Sequence, residues 1–181
     1  MYQYIFDHLP YKSSFRFVDE ISFLDQDKVI GNYTPKEDAF FYKDHFPGNP
    51  VTPGAILTEI MAQIGLVVLG IYLITPVPEP ATPVPEPAAP AEPAAPAPAQ
   101  AAPAGPAAST ADAAGAPIFP LLTSTEVSFL KMALPGQKIT VISHKEYFRF
   151  DKLKCRVEAQ DASGERLARG IFSGIIKKIS K

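Results

Sequence analysis

A chain of 181 residues has room for one domain plus a tail or an insert. Apolar residues make up 46% and charged residues 20%, as expected of a soluble globular protein. The formal net charge of −2 is far from the strongly basic balance that nucleic-acid binding calls for.

The first residues, MYQYIFDHLP, lack a basic start and a long apolar stretch, so no secretory signal is expected there. Cys155 is the single cysteine, so no intrachain disulfide can form, and a cytoplasmic location is expected. FRFVDEISFLD (15–25) reads as a strand. KVIGNYTP (28–35) reads as a second, after a turn at Gln26-Asp27. KEDAFFYKD (36–44) suits a short helix or turn. The loop DHFPGNPVTPG (44–54) carries three prolines and two glycines around His45. A long helix is predicted from about Pro53 to Leu73. Its apolar run, Ile60–Ile74, has 15 residues, contains Gln63 and directly follows Glu59. A membrane span needs about 20 apolar residues, so a buried core helix is the better reading.

Residues 75–117 are mostly proline and alanine, with an imperfect repeat of PVPEPA. They hold Glu79, Glu86, Glu92 and Asp112 and no Lys or Arg. Such a segment has too little large apolar surface to offset its ordering entropy, and a disordered, semi-stiff insert is expected. The remaining pieces, 1–74 and 118–181, would form a single domain. In the second piece 119–132, 137–150, 152–161 and 165–179 read as strands, broken at Pro135-Gly136, Asp151 and Ser163-Gly164. Strands, one long apolar helix, then strands imply an α+β fold. An antiparallel, strongly curved sheet would wrap the helix, which is apolar on nearly all sides and must be covered on nearly all sides.

The loop and the helix start together suggest chemistry. Thr52 is placed to cap the helix and Pro53 to occupy its first position. Gly54 then offers a backbone N–H without an internal partner, at the end that favours negative charge. A thioester carbonyl becoming an enolate would be stabilised there. His45 is the natural base, since an imidazole with its ordinary pKa of about 6.5 suits proton abstraction near neutrality. Taken alone, a histidine in a Pro/Gly loop is more often structural. Glu59 is harder to dismiss, because a carboxylate in an apolar helix is costly without a role or a partner. Gln63, one turn on, can orient it. Gly65 and Gly70 are best explained by close packing.

HFPGNPVTPGAILTEIMAQIG (45–65) resembles the signature of the 3-hydroxyacyl-(acyl carrier protein) dehydratases of the hot-dog fold. LPYKSSFRFVDEI is similar to that family's opening segment and SFLKMALPGQKI to a later strand and turn. The resemblance implies a sheet wrapped around a central helix, and a dimer whose sites lie at the subunit interface. It implies His45 as catalytic base and Glu59 as catalytic acid, contributed by different subunits. Gly54 would be the N–H donor to the thioester carbonyl, and Gln63 the support for the carboxylate. The implied reaction is loss of water from a (3R)-3-hydroxyacyl thioester to give the trans-2-enoyl thioester. No metal or organic cofactor is implied, since the thioester itself acidifies C2.

Three departures from the family pattern bear on the site. Tyr11-Lys12 and Ser13-Ser14 stand where His-Arg and Tyr-Pro are usual, which affects the rim or the neighbouring packing. Thr52 stands where many members have Met. The insert occupies a short helix-to-strand loop.

Lys152, Lys154 and Arg156 alternate along one strand and share a face, with Lys131 and Arg149 expected nearby. They are candidates for steering an acidic carrier protein, against the plainer reading of a solvated strand face. His8 and His144 have no motif around them. Rival functions are a hot-dog thioesterase, or a non-catalytic acyl-binding subunit that partners an active homologue.

Overall fold

The computed structural model describes residues 2–75 and 118–178. The Pro/Ala-rich segment lies outside the described residues from 76 to 117, and its expected disorder with it. A short helix α1 (Gln3–His8) and a single 3-10 turn (Ser13–Phe15) precede two strands, β1 (Glu20–Leu24) and β2 (Lys28–Tyr33). The central helix runs Gly54–Ile74. Four strands follow: β3 (Ile118–Phe129), β4 (Ile139–Arg149), β5 (Lys152–Gln160) and β6 (Arg166–Lys178). The strand order is β1-β2-β4-β5-β6-β3 and every neighbouring pair is antiparallel.

The central helix is long and apolar enough by composition to cross a bilayer. Here it is a core helix, with every residue from 60 to 71 buried. The sheet supplies Val29, Ile139, Val141, Leu153, Cys155, Val157, Phe172 and Ile176 to the same core, all fully buried. β5 alternates buried and more exposed positions without a break, as a strand with one face on a core must. Two glycines let helix and sheet approach. A Cβ on Gly65 would lie 2.8 Å from a Val157 methyl, and one on Gly70 2.6 Å from Ile176 Cγ1. The close-packing reading of both is what the structure shows.

The helix is not uniform. Gly54–Ala62 and Leu69–Ile74 are α-helical, and Gln63–Val68 between them is wound as a π-helix. Ser143 Oγ, fully buried, donates to the Gly65 carbonyl inside the wider segment at 2.8 Å. A π-helical stretch in an α-helix is rare and recurs at functional sites.

Several local expectations shift. The strand expected at 15–25 shrinks to β1, because Phe17 and Val18 turn inward as an extended strap instead of pairing. Segment 36–44 is a run of turns, the second of the two forms expected there. The helix α1 went unforeseen; one turn and a half is too short for a 3.6-residue pattern to show. Thr52 does not cap the central helix. Pro53 holds the cap position with ψ 139°, and no side chain bonds back to the first turn. The buried Thr52 hydroxyl instead meets Tyr42 Oη at 2.6 Å, which ties the turns to the loop.

Candidate active site

The site is built where the 44–54 loop meets the central helix. Phe46 has φ 58° and Gly48 φ 85°, with Asn49 N–H donating to the Phe46 carbonyl at 3.0 Å. An aromatic residue in the left-handed region is strained by about 1–2 kcal/mol, and such strain gathers at functional sites. The turn aims the half-buried His45 ring. Phe46 packs edge-on against that ring with centroids 4.4 Å apart. His45 Nδ1 lies 3.0 Å from the Val51 carbonyl. A carbonyl can only accept, so Nδ1 carries the hydrogen and Nε2 is left as the basic nitrogen. The loop is anchored beyond by Thr52 N–H, which donates to the Ala133 carbonyl at 2.7 Å.

Glu59 sits on the second turn of the helix, half-buried. Gln63 Nε2 donates to Glu59 Oε1 at 2.8 Å and to the Phe15 carbonyl at 2.9 Å. Gln63 Oε1 accepts the Phe17 N–H at 2.7 Å. This fully buried amide therefore fixes three things at once: the carboxylate, the helix and the strap. Such an arrangement holds one carboxylate oxygen still and leaves the other for a ligand.

Gly54 is the first helical residue. A Cβ there would lie 3.0 Å from the Phe129 ring, so the aromatic end of β3 covers the helix start. The structure thus brings Glu59 to Gln63. Among the described residues no hydrogen bond or ion pair joins His45 to Glu59 within the chain.

Tyr11 was visible in the sequence only as a departure from a pattern. Its ring packs on Phe15 with centroids 6.1 Å apart. Burial raises its phenol pKa, and the charge of Glu59 raises it further. Tyr42 is likewise pushed up by burial, offset in part by its bond to Thr52.

The basic residues do not form one patch. Lys152, Lys154 and Arg156 do share the outer face of β5. Lys154 and Arg156 are both paired with Glu146, at 3.0 and 3.1 Å. Arg149 stands opposite Lys152 beside the β4–β5 turn. Lys131 is at the other end of the strand, paired with Glu165 and with Asp161.

With this geometry in place, comparison with known proteins is direct. The fold is the hot-dog fold. A dehydratase heterocomplex from Xenorhabdus doucetiae, ApeI:P, superposes with a TM-score of 0.62 at 12% identity, covering 98% of this chain and 91% of that one. A hypothetical thioesterase protein from Streptococcus pneumoniae, solved with coenzyme A, superposes with a TM-score of 0.51 at 11% identity over 90% and 88% of the two chains. At such identities the likeness is one of fold alone. Residues 9–82 match the FabA-like domain, so the segment that carries the strap, His45, Glu59 and Gln63 has a recognised relative. A 3-hydroxyacyl-[acyl-carrier-protein] dehydratase, FabZ, from Caldicellulosiruptor saccharolyticus is 42% identical over 64 residues, 34% of this chain and 44% of that protein. The bifunctional enzyme LpxC/FabZ of Porphyromonas gingivalis is 34% identical over 74 residues, 41% of this chain and 15% of that protein. The chain aligns with less than half the length of these curated relatives. The FabA-like match spans the site-bearing segment, residues 9–82.

Proposed function

We propose that the protein dehydrates (3R)-3-hydroxyacyl thioesters of acyl carrier protein to trans-2-enoyl thioesters, in fatty acid or polyene/polyketide-type synthesis. The observation that carries this reading is the Gln63 clamp on Glu59. A carboxylate in an otherwise apolar helix is held by an amide that is itself bonded to backbone on both sides. A purely structural helix has no need of that expense. The FabA-like match, residues 9–82, includes Glu59 and Gln63, and the dehydratase relatives support the same reading.

In this reading His45 Nε2 takes the C2 proton and passes through imidazolium, steadied by its Nδ1–H bond to Val51. The Gly54 N–H stabilises the enolate-like oxygen. Glu59 gives its proton to the C3 hydroxyl, which leaves as water. The active unit is a homodimer or trimer of dimers, or a pair with a homologous subunit, with His45 and Glu59 meeting across the interface. β3 ends the sheet and exposes Phe119, Leu121, Leu122 and Phe129, an apolar edge suited to a second subunit. The carrier protein would be met by the basic residues without an acidic partner among the described residues, Arg149 and Lys152, ahead of the paired Lys131, Lys154 and Arg156. The single domain is formed by 1–74 and 118–181, and the setting is cytoplasmic.

The test is turnover of a 3-hydroxyacyl carrier-protein thioester, read by mass. Enoyl product, lost in both His45→Ala and Glu59→Ala, supports the dehydratase. Free acid replaces it with a thioesterase. No turnover, with acyl thioester still bound, leaves an acyl-binding subunit.

A further inference from the structure

Tyr11 lies on the strap that Gln63 fastens to the central helix, and it leans half-buried on the apolar core. The path from it to the acid is short. Its ring rests on Phe15, the Phe15 carbonyl accepts from Gln63 Nε2, and the same nitrogen donates to Glu59 Oε1. Burial bears most on the phenol, and the charge of Glu59 bears on it too. Burial and that charge both keep it protonated, so it is a donor at every working pH. Among the described residues its hydroxyl has no hydrogen-bond partner, and neither has Glu59 Oε2. Its hydroxyl is not among the sealed, unpartnered polar atoms, so a ligand can reach it. A phenol and a carboxyl oxygen joined by this short path, unbonded to each other and both unused, can converge on a third oxygen.

We propose that the Tyr11 phenol contacts the substrate, donating a hydrogen bond to the C3 hydroxyl oxygen that Glu59 holds. This rests on the dehydratase reading and adds a residue to it. When the C2–H bond breaks, the proton goes to His45 Nε2 and the electron pair forms the C2–C3 double bond. The C3–O bond breaks, and its oxygen takes the Glu59 proton and leaves as water. Tyr11 keeps its own proton throughout. Its hydrogen bond opposes the negative charge growing on the departing oxygen and selects for a hydroxyl at C3.

Two probes separate this role from packing: amide-linked 3-hydroxyoctanoyl-pantetheine and octanoyl-pantetheine, which differ by that hydroxyl alone. Their affinities are measured by calorimetry on the full chain. Tyr11→Phe keeps the ring against Phe15. It should weaken the hydroxyacyl probe about 5- to 10-fold, the worth of one hydrogen bond, and leave the octanoyl probe within about twofold. Tyr11→His, which restores a donor, should keep most of the preference. In turnover, Tyr11→Phe should lower kcat by about tenfold with little change in the melting temperature. Equal weakening of both probes, or of neither, removes Tyr11 from the substrate while leaving the dehydratase reading intact. Wild-type protein that binds neither probe and turns nothing over overturns both.

Discussion

Gln63 and Glu59 are joined by a 2.8 Å hydrogen bond one helical turn apart, and the same Gln63 nitrogen also holds the Phe15 carbonyl. The amide is fully buried, and its oxygen takes the Phe17 N–H. Gln63→Leu would leave a buried N–H and a carbonyl unsatisfied as well as freeing the acid. Each orphaned group costs about 1–3 kcal/mol, so a loss of about 2–4 kcal/mol is expected in urea unfolding. Activity should fall more than the remaining folded fraction accounts for.

Glu59→Gln should separate chemistry from folding. The new side-chain carbonyl still accepts from Gln63 Nε2, and no buried donor is orphaned. Stability should change by less than about 1 kcal/mol, while enoyl formation drops at least about 100-fold, the usual worth of a positioned acid. A stability loss as large as that of Gln63→Leu would mean that the carboxylate serves the fold instead.

The architecture was legible because its signals were long. Four strands after the insert are 9 to 13 residues each, and the helix is 21 residues of nearly continuous apolar character. Glu59 stood out as a charge in that run, and Gln63 as its neighbour at four residues. What sequence could not show was set by contacts distant in the chain. Gln63 bonds to Phe15 and Phe17, 48 and 46 residues away. Thr52 looked like a cap because its type and position fit one, but a buried Tyr42 hydroxyl took its oxygen. The π-helical stretch has no sequence pattern of its own. Its freed carbonyl at Gly65 is met by Ser143, a strand residue 78 positions later.

Gly70→Ala tests the packing of helix on sheet. Alanine favours helix over glycine by about 1 kcal/mol, which alone would stabilise. The added methyl would meet Ile176 Cγ1 at 2.6 Å and Cδ1 at 2.8 Å, and Ile176 is itself fully buried. Overpacking a core costs about 1–3 kcal/mol. A net loss of about 1 kcal/mol is expected by urea titration. A gain would show that Ile176 has room to turn away.

The turn between β5 and β6 makes stability depend on acid. Asp161 Oδ1 accepts from Ser163 Oγ at 2.6 Å, Ser163 N–H at 2.9 Å and Glu165 N–H at 3.0 Å. The Ser163 hydroxyl bond is the main cause that holds the Asp161 pKa below its ordinary value. The native state then binds fewer protons than the unfolded chain as pH approaches that value from above. The contribution is full above about pH 4, where an unfolded aspartate is ionised, and is lost as pH falls through the depressed native pKa. The urea midpoint should therefore drop more steeply from about pH 5 to pH 3 in wild type than in Asp161→Asn.

His45 and Glu59 share no bond within one chain, and the proposed site needs one from each subunit. That arrangement has a consequence for mixed assemblies. His45→Ala and Glu59→Ala should each be inactive as homodimers. A hybrid dimer has one site with both substitutions and one with neither, built from the His45 of the Glu59→Ala chain and the Glu59 of the other. Random pairing at equal amounts makes about half the dimers hybrid, each with one of two sites intact. Co-expression should thus recover about a quarter of wild-type turnover per dimer in the unfractionated mixture, and about half per dimer once the hybrids are purified through two tags. Recovery near zero, with hybrids shown to be present, would place both residues in the same subunit's site or in none.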